Sequence, residues 1–197
     1  MHSQEHPPAL PPQPALRSPY TEILRDRYRL LHPHVRIAHQ APLSAAGHVD
    51  VVHGRHLLTP ILIWLMNLPQ AGSHVPVDLR VTPDGQASDT VAPVMRWTRQ
   101  IGTHALHTRQ FSRDGYLVEA SGPGRVTFAL QVVDEALEYE DVSLHLLRIP
   151  IPSRLAPRVR ARVAAAEPGW HVDVRVEWHG HLICRYGGHI WPLAYSA

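Results

Sequence analysis

The chain has one cysteine, Cys184, and no lysine at all. A single thiol excludes an intrachain disulfide and suits a reducing compartment. All nineteen basic residues are arginine, set against seventeen acidic ones, so the formal charge is only +2. That falls far short of the basic footprint of a DNA-binding domain, and arginine in place of lysine reads as a GC-rich coding bias. No aromatic platform interleaves with the arginines, which counts against nucleic acid as a partner. Long apolar runs are also missing. The longest, Leu57–Leu68, is interrupted by Thr59, Pro60 and Asn67 and is about half of what a membrane span needs. No basic segment followed by an apolar run stands at the N-terminus, so no signal peptide is expected. There is no Gly-x-Ser-x-Gly elbow, no His-Glu-x-x-His helix, no cysteine cluster, no glycine-rich dinucleotide fingerprint and no internal repeat. These absences lead to the expectation of a cytoplasmic protein with no written catalytic signature.

What is present speaks of architecture. The 197 residues are 44% hydrophobic and 18% charged, enough for one ordinary domain with a real core. Residues 1–19 hold six prolines and almost no apolar periodicity, and read as a disordered or polyproline-like tail ahead of a single domain over 20–197. Ser18 is placed to cap a helix with Pro19 at its first position, running to about Leu31 and stopped by Pro33. Thr59 is expected to cap a second helix with Pro60 at its first position and Ile61, Leu62, Leu65 and Met66 as its buried face. His48–Val52 reads as a short strand between them.

From Val75 onwards strands dominate. Val75, Val77, Leu79 and Val81 alternate, and Pro83-Asp84-Gly85 turns the chain. Further strands are expected at Val91–Thr98, Thr103–Phe111, Tyr116–Ser121 and around Val126–Val132. A long strand then carries Leu137 and Tyr139 on one parity and Val142, Leu144 and Leu146 on the other. The switch at Glu140-Asp141 predicts a β-bulge. Arg158–His179 reads as a hairpin about Pro168-Gly169 in a type II turn. That register sets Val159 opposite Trp178, Ala161 opposite Val176, Val163 opposite Val174 and Ala165 opposite Val172. One face is apolar, and the other carries Arg158, Arg160, Arg162, Asp173, Arg175 and Glu177. A last strand runs over Leu182–Tyr186. The fold class is α+β: two N-terminal helices and a large curled antiparallel sheet of about eight or nine strands, either barrel-like or open, with a concave face.

Several elements stand in an order that resembles a known family. They are Leu31-His32-Pro33 with His39, Gly47 and Gly54, then Leu68-Pro69 and Val75-Pro76-Val77. Trp97-Thr98-Arg99-Gln100-Ile101-Gly102 and Gly122-Pro123 follow. Ile149-Pro150-Ile151-Pro152, Leu155-Ala156-Pro157, Gly180 and Tyr186-Gly187-Gly188 complete the set. The chain is similar to the bacterial domain of unknown function 4166 family over about Tyr28–Pro192. Ile101 stands where that family tends to have an aromatic, and Trp178-His179 where a proline is common. The resemblance implies no established activity. The family's domain also occurs after nicotinamide-dependent reductase-like modules, which points to a small-molecule pathway and a reductase-type partner.

Four constellations carry candidate chemistry. The close pairs His179/His181, His32/His34 and His53/His56 have strand-like spacing for zinc, but sixteen histidines produce such pairs by chance, so no metal and no cofactor is expected. Cys184 shares parity with Leu182 and Tyr186 and reads as a buried, inert thiol. Arg158, Arg160 and Arg162, with Arg154 upstream, form either an anion site or a solvated ladder neutralised across strands, and the second reading is favoured. Trp97 and Arg99 share a strand face, with His104, Arg109 and Phe111 on the next strand. That set suits an organic anion with an apolar body, and Tyr139 and Tyr186 would add hydroxyls. The leading expectation is a non-enzymatic binding domain for a lipid-like molecule or organic anion, using Trp97, Arg99, His104, Arg109, Tyr139 and Tyr186. The alternatives are an enzyme or reductase accessory with His104 or His39 as acid–base, and a protein-interaction module. Ligand identity and oligomeric state are not legible in the sequence.

Overall fold

The computed structural model describes residues 17–84 and 93–193. The expected tail therefore lies outside the described residues up to residue 16, as do Gly85 and the first residues of the expected Val91–Thr98 strand. Ser18 and Pro19, the last of that tail, belong to the first helix.

The chain begins with α1 (Pro19–Leu24), a 3-10 segment over Arg25–Leu30 and α2 (Pro33–Ala38). Ser18 caps α1 reciprocally: its hydroxyl accepts the Thr21 N–H at 3.2 Å, and Thr21 Oγ1 accepts the Ser18 N–H at 2.9 Å. Pro33, expected only to stop the first helix, starts another, because a proline ring suits a first helical turn. β1 (Leu43–His53) and α3 (Thr59–Leu65) follow. Thr59 is the first residue of α3 rather than its cap; Leu58 holds the cap position with no side-chain bond. The buried face expected for this helix is narrower than four residues: Leu62 and Met66 pack on the core, whereas Ile61 and Leu65 stay exposed.

The remaining elements are strands: β2 (Gly72–Pro83), β3 (Val94–Ile101), β4 (His104–Arg113), β5 (Tyr116–Ser121), β6 (Gly124–Val133), β7 (Ala136–Leu146), β8 (Ile149–Ile151), β9 (Arg158–Ala166), β10 (Gly169–Trp178) and β11 (His181–Pro192). The curled antiparallel sheet closes. β1 to β7 are successive neighbours, β7 pairs with β9, and β9, β10 and β11 return to β1, so ten of the eleven strands form a barrel. The short β8 pairs with Leu144–Leu146 of β7, beyond the stretch that pairs with β9. The helices are few, and the strand count slightly exceeds the eight or nine expected.

The two ends of the barrel differ. α1 and α2 close one end, where the His32 N–H reaches the Glu135 carbonyl of the β6–β7 turn at 2.9 Å. α3 and the β3–β4, β5–β6, β7–β8 and β10–β11 turns surround the other. There His104 Nε2 lies 2.9 Å from the Asn67 carbonyl, and the Leu147 N–H meets the Pro123 carbonyl at 2.9 Å. Inward-facing residues, most of them apolar, alternate with outward ones along each strand, as the two-residue period demands.

The β9–β10 hairpin keeps its expected faces but moves by two residues. Trp170 pairs with Ala165, Val172 with Val163, Val174 with Ala161 and Val176 with Val159. The turn residues are Glu167 and Pro168, joined by a cis bond, and Gly169 already belongs to β10. The reason lies on the neighbouring strand: a Cβ on Gly169 would stand 2.1 Å from the Ile190 carbonyl oxygen, so this glycine lets β10 meet β11 closely. A shift of two preserves parity, so the charged set stays outside. β11 also runs past its expected end at Tyr186, because Gly188 lies against the His48 carbonyl of β1 and a Cβ there would approach to 2.0 Å. The bulge is present: Phe128 opposes Asp141 and Thr127 opposes Ser143, leaving Val142 unmatched.

Candidate functional site

The barrel encloses a cavity of about 520 Å³, inside the range of about 300–1,000 Å³ usual for small-molecule sites. Towards α3 its wall is mostly aliphatic, with Leu62 and Met66 from α3, Leu106, Leu144, Ile151 and Val159, and it also carries Ser121, Arg125 and His145. Towards the end closed by α1 and α2 the wall becomes polar.

Two charged groups sit in that polar region. Arg99 Nη1 donates to Glu119 Oε1 at 2.8 Å and to Thr108 Oγ1 at 3.1 Å. Gln110 Nε2 donates to the other carboxylate oxygen of Glu119 at 3.0 Å. Burial alone would raise the Glu119 carboxyl, but the adjacent Arg99 guanidinium holds it below its ordinary value. The Arg99 guanidinium lies 4.9 Å from the Trp97 ring centre, a cation–π contact. Only Nη1 of Arg99 is used; Nε and Nη2 have no protein partner among the described residues. The Trp97 indole N–H is buried and also lacks an acceptor.

Beside the ion pair runs a chain of aromatic groups. His39, almost wholly buried, places Nδ1 2.6 Å from the Val35 carbonyl and Nε2 2.6 Å from the Tyr139 hydroxyl. A carbonyl can only accept, so Nδ1 carries the proton and Nε2 accepts from Tyr139 while the ring is neutral. Tyr20 donates to Gln110 Oε1 at 2.5 Å, and its oxygen is 3.3 Å from that of Tyr139. Burial pushes the His39 imidazole down to about 4, against the smaller upward pull of the Val35 carbonyl. Burial also pushes the Tyr20 and Tyr139 hydroxyls up, and that of Tyr186 up to about 12.

Of the six residues singled out from the sequence, Trp97, Arg99, Tyr139 and Tyr186 line this cavity. His104 sits at the rim, bonded to the Asn67 carbonyl. Arg109 is on the outside. It pairs across strands with Arg96, and both reach Asp84, Arg109 at 2.6 Å and Arg96 at 2.8 Å. The reason is parity: Thr108 and Gln110 point inward, so the residue between them points outward. Sequence reading missed Tyr20, Thr108, Gln110 and Glu119. The signal available for Glu119 was a carboxylate two residues from the buried Leu117, on the inward parity of β5.

The outer arginine ladder is neutralised, chiefly by β7 rather than by β10 as expected. Arg162 pairs with Glu138, Arg160 with Glu140 at 3.6 Å, and Arg158 with Asp141 at 3.1 Å. Cys184 is fully buried and its thiol is pushed up to about 11 by that burial. Among the described residues no three His, Cys, Asp or Glu side chains converge on a point where a metal could sit, and no helix is long and apolar enough to cross a membrane.

No curated protein and no solved structure is found to match the chain. The model of one protein family matches residues 31–190, from just after the 3-10 segment into β11. The match includes nine of the barrel's ten strands in full and all of β11 but its last two residues, so the chain belongs to the family described as Domain of unknown function (DUF4166).

Proposed function

We propose that the barrel binds one small, largely apolar molecule with its polar head against Arg99 and Trp97. The observation that carries this reading is the pair of donors without acceptors, the Trp97 indole N–H and the free N–H groups of Arg99, at the polar end of an aliphatic cavity. Leaving the buried Trp97 donor unpaired is costly, and an oxygen of a bound molecule would satisfy it while meeting the Arg99 N–H groups that face the cavity. Tyr186, on the same wall, supplies a further hydroxyl.

The charge balance selects the head group. Glu119 already matches Arg99, so a carbonyl or hydroxyl oxygen fits better than a free carboxylate, which would set a second anion beside one guanidinium. A lipid-like molecule is thus favoured over an organic anion. The titrating groups favour binding over acid–base catalysis. His39 is pushed away from neutrality in one direction and Tyr20, Tyr139 and Tyr186 in the other, whereas a general acid or base works best near the ambient pH.

The test is displacement of an uncharged polarity-sensitive fluorophore from the purified protein by long-chain alcohols and by the matching carboxylates. The alcohols should displace at lower concentration. Ala161→Trp or Val174→Trp, each placing an indole in the cavity, should abolish probe binding without unfolding the protein. Unchanged binding in both folded variants would refute the proposal.

A further inference from the structure

The sequence of α3 is apolar on every side, Ile61-Leu62-Ile63-Trp64-Leu65-Met66, a composition that belongs to a helix covered all round. The barrel covers it on one side only, where Leu62, Ile63 and Met66 pack against the core and Leu65 reaches the cavity. The outward residues Leu57, Ile61 and Trp64, at positions i, i+4 and i+7, are 91%, 57% and 80% exposed. Across the same mouth, Leu147, Ile149 and Leu155 are 69%, 64% and 61% exposed. The two groups belong to one rim: Leu155 and the α3-flanking His56 both meet Trp178, whose indole N–H donates to the Leu155 carbonyl at 3.1 Å and whose ring lies 5.5 Å from that of His56.

The charge of this rim has one sign. The segments 54–71, 102–104, 121–125, 144–157 and 178–182 contain no Asp or Glu, yet they hold Arg55, Arg125, Arg148 and Arg154. None of the four arginines has an ion-pair partner among the described residues. Of the wall carboxylates towards this end, Glu177 pairs with Arg175, Asp141 pairs with Arg158, and Asp50 accepts the His74 backbone N–H at 2.7 Å. The opposite end mixes both signs, with Glu22, Asp26, Asp114, Asp134, Glu135 and Glu167 beside Arg25, Arg27, Arg29 and Arg36 in its helices and turns.

We propose that the mouth of the barrel docks on an anionic lipid surface. Exposed Leu, Ile and Trp around unpaired arginines are what a bilayer interface takes up, the apolar side chains entering the acyl boundary and the arginines meeting lipid phosphates. A second copy of the chain is disfavoured, because a two-fold contact would press one all-basic rim against another. That docking serves exchange of an apolar ligand between bilayer and cavity rests on the binding function proposed above; the docking itself does not.

The experiment is co-sedimentation of the full-length chain with vesicles of phosphatidylcholine alone and of phosphatidylcholine with phosphatidylglycerol. Binding should require the anionic lipid and weaken on the order of tenfold in Arg148→Glu/Arg154→Glu. Trp64→Asp should also weaken it, while both variants keep wild-type fluorophore binding. Ala161→Trp should do the reverse, losing the fluorophore and keeping the vesicles, so failure of docking and failure of the cavity reading are distinguishable. Equal binding to both vesicles, or none to either, would overturn the proposal. A dimer in sedimentation equilibrium that Trp64→Asp dissociates would overturn it too, assigning the rim to a second copy.

Discussion

Removing Arg99 while leaving Glu119 in place tests the electrostatics of the barrel interior. Arg99→Met keeps much of the side-chain volume but strips Glu119 of its counter-charge at 2.8 Å, leaving it the Gln110 bond at 3.0 Å. Both side chains of the pair are about one-fifth exposed, to the cavity. Breaking a buried pair from one side costs about 3–5 kcal/mol, and the partial access places this site near the lower end, about 3 kcal/mol. For a chain of this size that lowers the unfolding midpoint by on the order of 10 °C. Arg99→Met/Glu119→Leu, which removes both charges, should return to within about 1 kcal/mol of wild type, so the cycle shows strong coupling. The pH dependence should change sign as well. In wild type the Glu119 carboxyl is held low, so its contribution is present above the unfolded carboxylate range and lost as the pH falls through the folded value. In Arg99→Met the burial that opposes ionisation is no longer offset, the folded value rises, and stability falls as the pH rises through the range where the unfolded carboxyl ionises. Urea unfolding at several pH values reads both effects. A loss below about 1 kcal/mol with an unaltered pH profile would refute the reasoning.

Three further outcomes follow from the same geometry. His39, lowered to about 4 from an ordinary 6.5, binds fewer protons folded than unfolded between those values. Its contribution is whole above about pH 6.5 and falls by roughly 3 kcal/mol as the pH drops towards 4; His39→Gln should flatten that part of a urea-midpoint profile, and a profile identical to wild type would count against the assignment. Gly188→Val, with a Cβ 2.0 Å from the His48 carbonyl, should cost at least about 2 kcal/mol in thermal unfolding by overpacking, and a neutral result would contradict the close β1–β11 approach. Cys184 should resist a maleimide at pH 8 in the native protein and react at once in urea; fast native labelling would show that it is not buried as described.

The fold was legible where a single period ruled. Alternation over β9 and β10 put Val159, Ala161, Val163, Val172, Val174 and Val176 on the inward parity even though the register was two residues off, because a shift of two leaves parity untouched; Ala165, read as core, is exposed. The turn position was not legible, since it depends on Gly169 meeting β11, a strand absent from the local pattern. The bulge in β7 appeared as a change of parity, whereas α2 was hidden behind a proline that suits either the end or the start of a helix. Sequence reading named Trp97, Arg99, Tyr139 and Tyr186, each on an apolar parity, and all four line the cavity. It could not find the partners of Arg99, because closure of the barrel brings Thr108 from β4 and Glu119 from β5 to one guanidinium. Nor could it place Arg109, whose direction is set by which parity of β4 faces the closed interior.

The most direct measurement of the central claim is a crystal structure of the protein with the long-chain alcohol that displaces the fluorophore best. The account predicts a chain running along the barrel axis from the mouth towards α1 and α2. Its oxygen should lie within hydrogen-bonding distance of Arg99 Nε or Nη2, or of the Trp97 indole nitrogen. An alcohol bound only outside the barrel, with the interior unchanged and both donors still unpaired, would contradict it.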